Sequence, residues 1–486
     1  MAWIKSRESK INLILATIIV IASLIVLAHS ALELAETERE RGGRGYVTDE
    51  VWYVSAARNI LIRVFGGEPR QDPGRYGATI LFQSSVDVAR ARSIASSLNL
   101  SIKTDYSKIN AVYVEGKREN VFEFAYRMNI TQRVVDIVPG WQLPDSEVIH
   151  TYINHEHPPL AKYLIALSMI IFGDAPFYWR IPVVIIGAVT TLFVFLVLLE
   201  LSKNRILALL GTLLFLSDSM TRAIFSIAIL DGFVAAFTVI SLYYALKSRY
   251  KQALVVALVG GLFKATGLFA AIPSVLLLAR SITKRSRGDL GEFLYNTVYF
   301  GSLGIVLYVS LLTIVSLPII HYMGVSNWIN NALLGSVSWH LSAKCTDPAR
   351  CARWSDPWEW FLGYHSFPLY VFPNGRTLYA EGFYPLWFAS LVLGLISLPL
   401  VYIKRNYGKT LLYLLGVFSG YIIIWILGSR TQYSFYAIQL TPLVYINLAY
   451  LIYILGETRN LNTFILKSWF DITVKTKKIL EFLILS

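Results

Sequence analysis

The sequence predicts an all-α polytopic membrane protein with about ten or eleven transmembrane helices and a small α+β insertion in its first large loop. Three observations carry this. Of 486 residues, 55% are hydrophobic and only 15% charged, where soluble domains carry about a quarter charged residues. Long apolar stretches recur between residues 160 and 455, and a stretch of about 20 apolar residues crosses the hydrocarbon core as a helix. The basic residues gather in short connecting segments, "KSRYK" at 247–251, "TKRSR" at 283–287 and "IKRNYGK" at 403–409, as cytoplasmic loops do. The net charge of +13 is therefore loop charge, and no nucleic acid is expected as a partner.

Taken in order, residues 1–64 hold a first transmembrane helix and an external loop. The apolar run 11–31 is too long for a signal-peptide core and lacks a small-residue cleavage site, so it reads as an anchor with its N-terminus in the cytoplasm. Residues 65–148 form the insertion. "GATILFQ" (77–83), "INAVYVEG" (109–116) and "RVVDIV" (133–138) read as strands. Residues 85–100 and 118–128 read as amphipathic helices, with Ser85 as a cap. That order suggests a split βαβ module. Residues 149–320 are the transmembrane core, 321–382 a second external loop, 383–455 the C-terminal transmembrane helices, and 456–486 an interfacial or cytoplasmic tail.

Spans are expected near 160–173, 180–201, 205–221, 223–246, 252–280, 295–319, 383–403, 409–428 and 432–455. Nine crossings after the first helix put "KSRYK" outside, against its charge. Splitting 252–280 into two short pieces, or removing 160–173 from the count, answers this conflict. The 252–280 segment is interrupted by Gly260, Gly261, Lys264, Gly267 and Pro273, and broken membrane segments occur where they line a protein cavity.

Several charged residues could carry chemistry. Asp49 and Glu50 open "DEVWYVSAARNIL", with Arg58 two turns beyond. As a bare pair they read as a solvated helix cap; at a membrane edge, one carboxylate could serve as a general base. In "YINHEHPPLAKYL" (152–164), Pro158 and Pro159 delay the helix until Leu160. This sets His155 and His157 at the edge, and Lys162 one turn inside, where a helix start suits an anionic phosphate. A snorkelling lysine and a histidine metal pair are the plainer readings. Arg180, Arg222, Asp231 and Lys264 fall within or beside spans, where charges face cavities or partners. Cys345 and Cys351, in "CTDPARC", are suited to a small disulfide or stand as free thiols. Trp, Tyr and His in "VSWHLSAK" (337–344), "RWSDPWEWFLGYHSFPLY" (353–370) and "GSRTQYSFYAIQLTP" (428–442) fit either an interfacial aromatic belt or a sugar platform.

Together and in this order, these stretches resemble the dolichyl-phosphate-mannose protein O-mannosyltransferase family, within the GT-C class of membrane glycosyltransferases. "TDEVWYVSAARNI" is similar to its first-loop Asp-Glu pair, and "HEHPPLAKYL" to its H-P-P-L-x-K stretch. "RAIFSIAILDGF", "GGLFKATGLF" and "WHLSAK…WSDPWEWF" resemble later motifs, the last with an insert and with Phe361 in place of proline. The family's β-trefoil repeat domain has no counterpart, and the 65–148 insertion is not part of the family pattern.

The resemblance implies transfer of a sugar, mannose in that family, from a polyprenyl-phosphate donor to an acceptor hydroxyl on the external face, with inversion. The acceptor would be protein Ser/Thr, or alternatively a lipid or glycan. By position Asp49 is the base and Glu50 orients the acceptor, roles that could be exchanged. Arg58, His157, Lys162, Arg180, Arg222, Lys264, His340 and Arg430 are the candidates for donor phosphate and sugar. The expected partners are the lipid-linked sugar, the acceptor and membrane lipid, in a plasma-membrane setting. No cofactor and no metal are expected. A transporter of lipid-linked sugar is the rival class; inverted repeats would favour it.

Overall fold

The structure is a computed structural model that describes residues 2–72, 74–342, 353–428, 431–457 and 459–485. Cys345, Cys351 and Arg430 lie outside the described residues. Helix α1 (Ala2–Glu40) has 39 residues; at 1.5 Å per residue it is about 58 Å long, roughly twice the hydrocarbon thickness. Its polar last turns therefore stand clear of the apolar zone. A turn then leads into α2 (Glu50–Asn59), which continues through a wider helical turn over Ile60–Val64.

The insertion follows: β1 (Tyr76–Phe82), α3 (Val88–Ser97), β2 (Ser101–Lys103), β3 (Ala111–Gly116), α4 (Arg118–Asn129) and β4 (Val134–Pro139). The sheet order is β2-β3-β1-β4 with every neighbouring pair antiparallel, a split βαβ topology. One face packs Ile80, Val112 and Val114 against Ala91, Ala95, Val121, Phe124 and Met128 of the two helices. The other packs Leu81, Ala111 and Val138 on Leu143 and Ile149, with Val51 and Ile62 from the α2 segment. Both faces being covered, the whole of β1 is buried. Two details differ from expectation. Asp87, not Ser85, caps α3, its side chain accepting from the Arg90 amide at 3.0 Å. The strand β2 has only three residues, too few for an alternation to reveal.

The helical bundle consists of α5 (Leu160–Phe172), α6 (Pro176–Ser202), α7 (Arg205–Ser217), α8 (Ser219–Ile224), α9 (Asp231–Leu246), α10 (Tyr250–Gly261), α11 (Ala271–Ser286) and α12 (Leu290–Met323). After it come α13 (Val325–Trp328), α14 (Gly335–Ser342), a hairpin of β5 (Phe367–Val371) and β6 (Thr377–Ala380), then α15 (Tyr384–Ile396), α16 (Arg405–Gly428), α17 (Thr441–Glu457) and α18 (Arg459–Leu485). Among the described residues, α1, α6, residues 265–286, α12 and α16 are long and apolar enough to cross a membrane, and α5, α7, α9, α15 and α17 are shorter apolar helices. The chain is an integral, multi-pass membrane protein, all-α apart from the insertion and the hairpin.

The segment 160–173 is a helix of 13 residues, about 20 Å long and shorter than the hydrocarbon core is thick. Its start is held beside the insertion, where Asn59 Nδ2 donates to the carbonyls of Ile149 and Tyr152 and Lys162 to that of His157. Its end is held there too: the Arg70 amide donates to the Met169 carbonyl at 3.1 Å and Asp174 pairs with Arg58. With both ends of α5 beside the insertion, α6 leaves the insertion side and α9 ends opposite it. "KSRYK" then joins "IKRNYGK", since Lys409 Nζ donates to the carbonyls of Ala245 and Leu246. The charge conflict disappears.

Three other expected spans are broken. The run 225–230 is buried and not helical, so α9 begins only at Asp231. Between α10 and α11 the chain leaves the helix and passes a tight turn over Ala265–Ala270. Here a Cβ on Gly267 would stand 2.3 Å from the Gly260 carbonyl carbon; the two backbones touch, and only glycine fits. Residues Ser434–Gln439 form a third tight turn ahead of α17. Gln439 pins the breaks together, donating to Thr238 Oγ1 at 3.0 Å and to the Thr266 carbonyl at 3.2 Å while accepting from the Tyr421 hydroxyl at 2.7 Å. Buried partners of this kind are what irregular backbone needs at membrane depth.

Candidate active site

The α2 N-terminus separates the acidic pair. Asp49 occupies the cap position, yet its side chain makes no cap hydrogen bond. Glu50 turns back instead: its Oε2 accepts from the Val47 amide at 2.8 Å. The same carboxylate accepts from Arg180 Nε at 2.8 Å, Arg180 Nη2 at 2.7 Å and the Ala228 amide at 2.6 Å. Arg180 spends its remaining donors on the carbonyls of Ala31 and Gly45. Both residues are fully buried. Such a pair, with four hydrogen bonds to the carboxylate and four from the guanidinium, ties α1, the turn, α6 and the 225–230 segment into one piece.

Asp49 is left with a different environment. Burial pushes its carboxyl up to about 6, opposed by the nearby Lys264 ammonium and reinforced by the Asp231 carboxylate. A carboxylate so placed changes protonation close to neutral pH, as a general base must. The break between α10 and α11 puts Lys264 opposite the first turn of α9, where its Nζ donates to Asp231 Oδ1 at 2.7 Å and Oδ2 at 2.9 Å. The ammonium also lies 4.1 Å from the centre of the Tyr436 ring. Asp231 gains from the helix N-terminus behind it.

The 152–159 loop closes a second side. Lys162 is fully buried and points back into this loop, donating to the His157 carbonyl at 2.8 Å and to Asn154 Oδ1 at 3.2 Å. His157 is buried between rings, 5.9 Å from Tyr53 and 5.2 Å from Trp339 by centroids. Tyr53, one turn after Asp49, has its hydroxyl held well above the usual range, by burial first and then by the carboxylates of Asp49 and Asp231. From this loop a cavity of about 590 Å³ runs between α10, α11 and α12. Its walls are leucine, isoleucine, valine and alanine, with His155, His157, Pro158 and Ala265 at one end. Ala265 follows Lys264 in the chain, while the Lys264 side chain is turned to Asp231 and Tyr436.

The structure thus gathers Asp49, Lys264 and His157, and adds Asp231. Glu50 and Arg180 sit next to them, engaged with each other. Arg58 is elsewhere, fully buried in a two-point pair with Asp174 (2.6 and 3.0 Å) and bonded to the Tyr46 hydroxyl. Arg222 is exposed on α8. His340 lies on α14, its side chain outside the described residues. Sequence reasoning missed Tyr53 and Tyr436, both inside stretches it had singled out, and Asp174, a lone acid in a short loop. Among the described residues no group of three or more His, Cys, Asp or Glu side chains gathers as metal ligands.

Fold and site define a polytopic membrane protein with a carboxylate that makes no cap hydrogen bond, a buried ammonium paired with Asp231, and an apolar groove lined in part by the neighbouring 155–159 loop and Ala265. Residues 156–310 match the model of the dolichyl-phosphate-mannose-protein mannosyltransferase family. Polyprenol-phosphate-mannose–protein mannosyltransferases are similar to it: that of Mycobacterium tuberculosis is 29% identical over 113 residues, covering 23% of this chain and 22% of the relative. That of Corynebacterium glutamicum is 31% identical over 105 residues, covering 21% and 20%. The match thus spans about a fifth of the length of these curated relatives. The crystal structure of ArnT from Cupriavidus metallidurans bound to undecaprenyl phosphate aligns over 90% of this chain and 59% of that one, with 13% identity and a TM-score of 0.44.

Proposed function

We infer that the protein is a membrane glycosyltransferase that moves a sugar from a polyprenyl-phosphate donor to an acceptor hydroxyl, with inversion. The observation that carries this is the Asp49 carboxylate, free of a cap hydrogen bond and in the field of the buried Lys264 ammonium, whose chain neighbour Ala265 lines the apolar groove. The groove suits an isoprenoid tail, and the Lys264 ammonium suits the phosphate. In the step itself, the acceptor oxygen attacks the sugar's anomeric carbon as the bond from that carbon to the phosphate oxygen breaks. The phosphate leaves with the electron pair, and Asp49 takes the hydroxyl proton. Charge developing on the phosphate is stabilised by Lys264, a fixed group that costs little reorganisation. Glu50, closed off by Arg180, holds the turn that carries Asp49 and is a positioning residue.

The relatives' names support mannose as the sugar and protein as the acceptor. "KSRYK" and "IKRNYGK" lie at the end of the bundle away from Asp49, and basic loops face the cytoplasm; the active site is therefore assigned to the external face of the plasma membrane. No metal or cofactor is assigned, Lys264 being the group proposed to meet the phosphate. The test is transfer of label from polyprenyl-phosphate-mannose to a Ser/Thr-rich peptide by the full chain in membranes. Labelled peptide with the anomeric configuration opposite to the donor's supports the reading. Label in lipid or glycan alone keeps the transferase and changes the acceptor. Donor crossing the bilayer with no product formed overturns it in favour of a carrier.

A further inference from the structure

The sequence carries the N-x-Ser/Thr pattern of glycan acceptors twice, "NLS" at 99–101 and "NIT" at 129–131, and both fall in the insertion. Each stands where a helix of the module ends. Asn99 follows the last turn of α3 with φ of 52°, and the Leu100 amide donates back to the Ala95 carbonyl at 2.9 Å, the closing bond of a Schellman turn. Asn129 is the last residue of α4. Asn99, Ser101, Asn129 and Thr131 are all exposed, so the amide and the hydroxyl two residues on are open to solvent at both places. The two sites lie at opposite ends of β1. Gly116, near which the Asn99 carbonyl lies, pairs with Tyr76 at the start of the strand. Val134, whose amide donates to Asn129 Oδ1 at 2.9 Å, pairs with Phe82 at its end.

We propose that Asn99 and Asn129 are N-glycosylation sites, their co-substrate an oligosaccharide carried on a polyprenyl diphosphate and their catalyst a separate transferase of the external face. This rests on the assignment of the insertion to that face. In the step, Nδ2 of the asparagine bonds to the anomeric carbon as the bond from that carbon to the diphosphate oxygen breaks. The diphosphate leaves with the electron pair, and Nδ2 loses one proton. The product is still an amide whose carbonyl oxygen accepts, so the bond from the Val134 amide to Asn129 Oδ1 survives the modification. The fold leaves room for the sugar. Helices α3 and α4 cover one face of the sheet, and the other face packs on Val51 and Ile62 of the α2 segment. The sheet therefore separates both asparagines from the turn that carries Asp49, and a bulky, hydrated glycan at either one meets solvent. It also meets a surface in need of cover. Phe122, Tyr126 and Ile130 form an exposed stripe at four-residue spacing along α4, an apolar patch of the kind that promotes association, and Asn129 stands next to Ile130 at its end.

The experiment uses the full chain purified from the membranes of its source cells, as wild type, Ser101→Ala and Thr131→Ala. Each variant abolishes one acceptor pattern at an exposed side chain and leaves the asparagine, so the turn after α3 and the Asn129 bond are kept. Glycopeptide mass spectrometry is expected to find sugar on Asn99 and Asn129 in wild type, and a tenfold or greater loss at the altered site alone in each variant. Sugar at one position only overturns the proposal for the other, and sugar that persists after its pattern is removed overturns it at that position. Bare asparagines at both positions in wild type overturn it altogether. A Ser84→Cys variant, at an exposed position of the insertion, separates this failure from that of the external assignment. Residue 84 labelled in whole cells by a membrane-impermeant maleimide, with both asparagines bare, overturns the glycan proposal alone. Residue 84 labelled only after the cells are opened removes the external assignment and this inference with it.

Discussion

Replacing Glu50 by Gln tests whether this carboxylate builds the site or takes part in the reaction. Each oxygen accepts two hydrogen bonds, Oε1 from Arg180 Nε and the Ala228 amide, Oε2 from Arg180 Nη2 and the Val47 amide. An amide turns one of these acceptors into a donor aimed at two donors, and removes the charge that balances a fully buried guanidinium. Breaking a buried pair from one side costs about 3–5 kcal/mol. Removing both partners is milder, because no buried charge is left unbalanced. The assay is thermal unfolding of the purified protein in detergent, read beside the transfer rate, for Glu50→Gln, Arg180→Met and the double variant. The expected result is a clearly lowered midpoint for each single variant, a double variant more stable than the sum of the two, and transfer that falls with stability. A Glu50→Gln protein as stable as wild type and without transfer would refute the reasoning and put Glu50 in the chemistry.

Asp49 predicts the pH profile. With its carboxyl at about 6, kcat/KM rises about tenfold per pH unit below that value and levels off above it; a profile flat from pH 5 to 8 would contradict the assignment. The same shift makes the fold more stable when Asp49 is neutral, a contribution present below the ordinary carboxylate range and lost as pH rises through about 6. Asp174→Asn weakens the mooring of the insertion to α2 and α6, again by about 3–5 kcal/mol, and should appear as faster proteolysis within residues 65–148; an unchanged digestion pattern would argue against that strut. Transfer should persist after exhaustive chelation, and recovery that depends on one added divalent ion would overturn the metal-free assignment.

The bundle was legible because its crossings are long apolar runs between basic loops, and the break at Lys264 showed in its glycines. The break at 225–230 did not, since "FSIAIL" is as apolar as any helix and only its buried placement beside Glu50 distinguishes it. The segment 160–173 has the composition of a crossing; the contacts that hold its ends beside the insertion come from Asn59 and Arg70, which are distant in sequence, and from the Asp174 pair with Arg58. Most charged residues near the site were recognised, but their partners were not. Arg58 and Asp174 are 116 residues apart, and no local pattern announces such a pair. Lys162 reads as a phosphate ligand from its helix-start position and clamps loop carbonyls in the folded chain. Asp49 and Glu50 are neighbours with equal chemistry on paper, and only folding gives one a set of four donors and leaves the other uncapped.

The most direct test is the rate of sugar transfer by Asp49→Asn. Removal of a general base lowers the rate by about 100- to 10,000-fold, and Asn preserves size, so folding and donor binding are expected to stay close to wild type. A fall of that size with a melting midpoint no lower than that of wild type is the predicted result. An Asp49→Asn protein that transfers sugar at the wild-type rate would contradict the account at its centre.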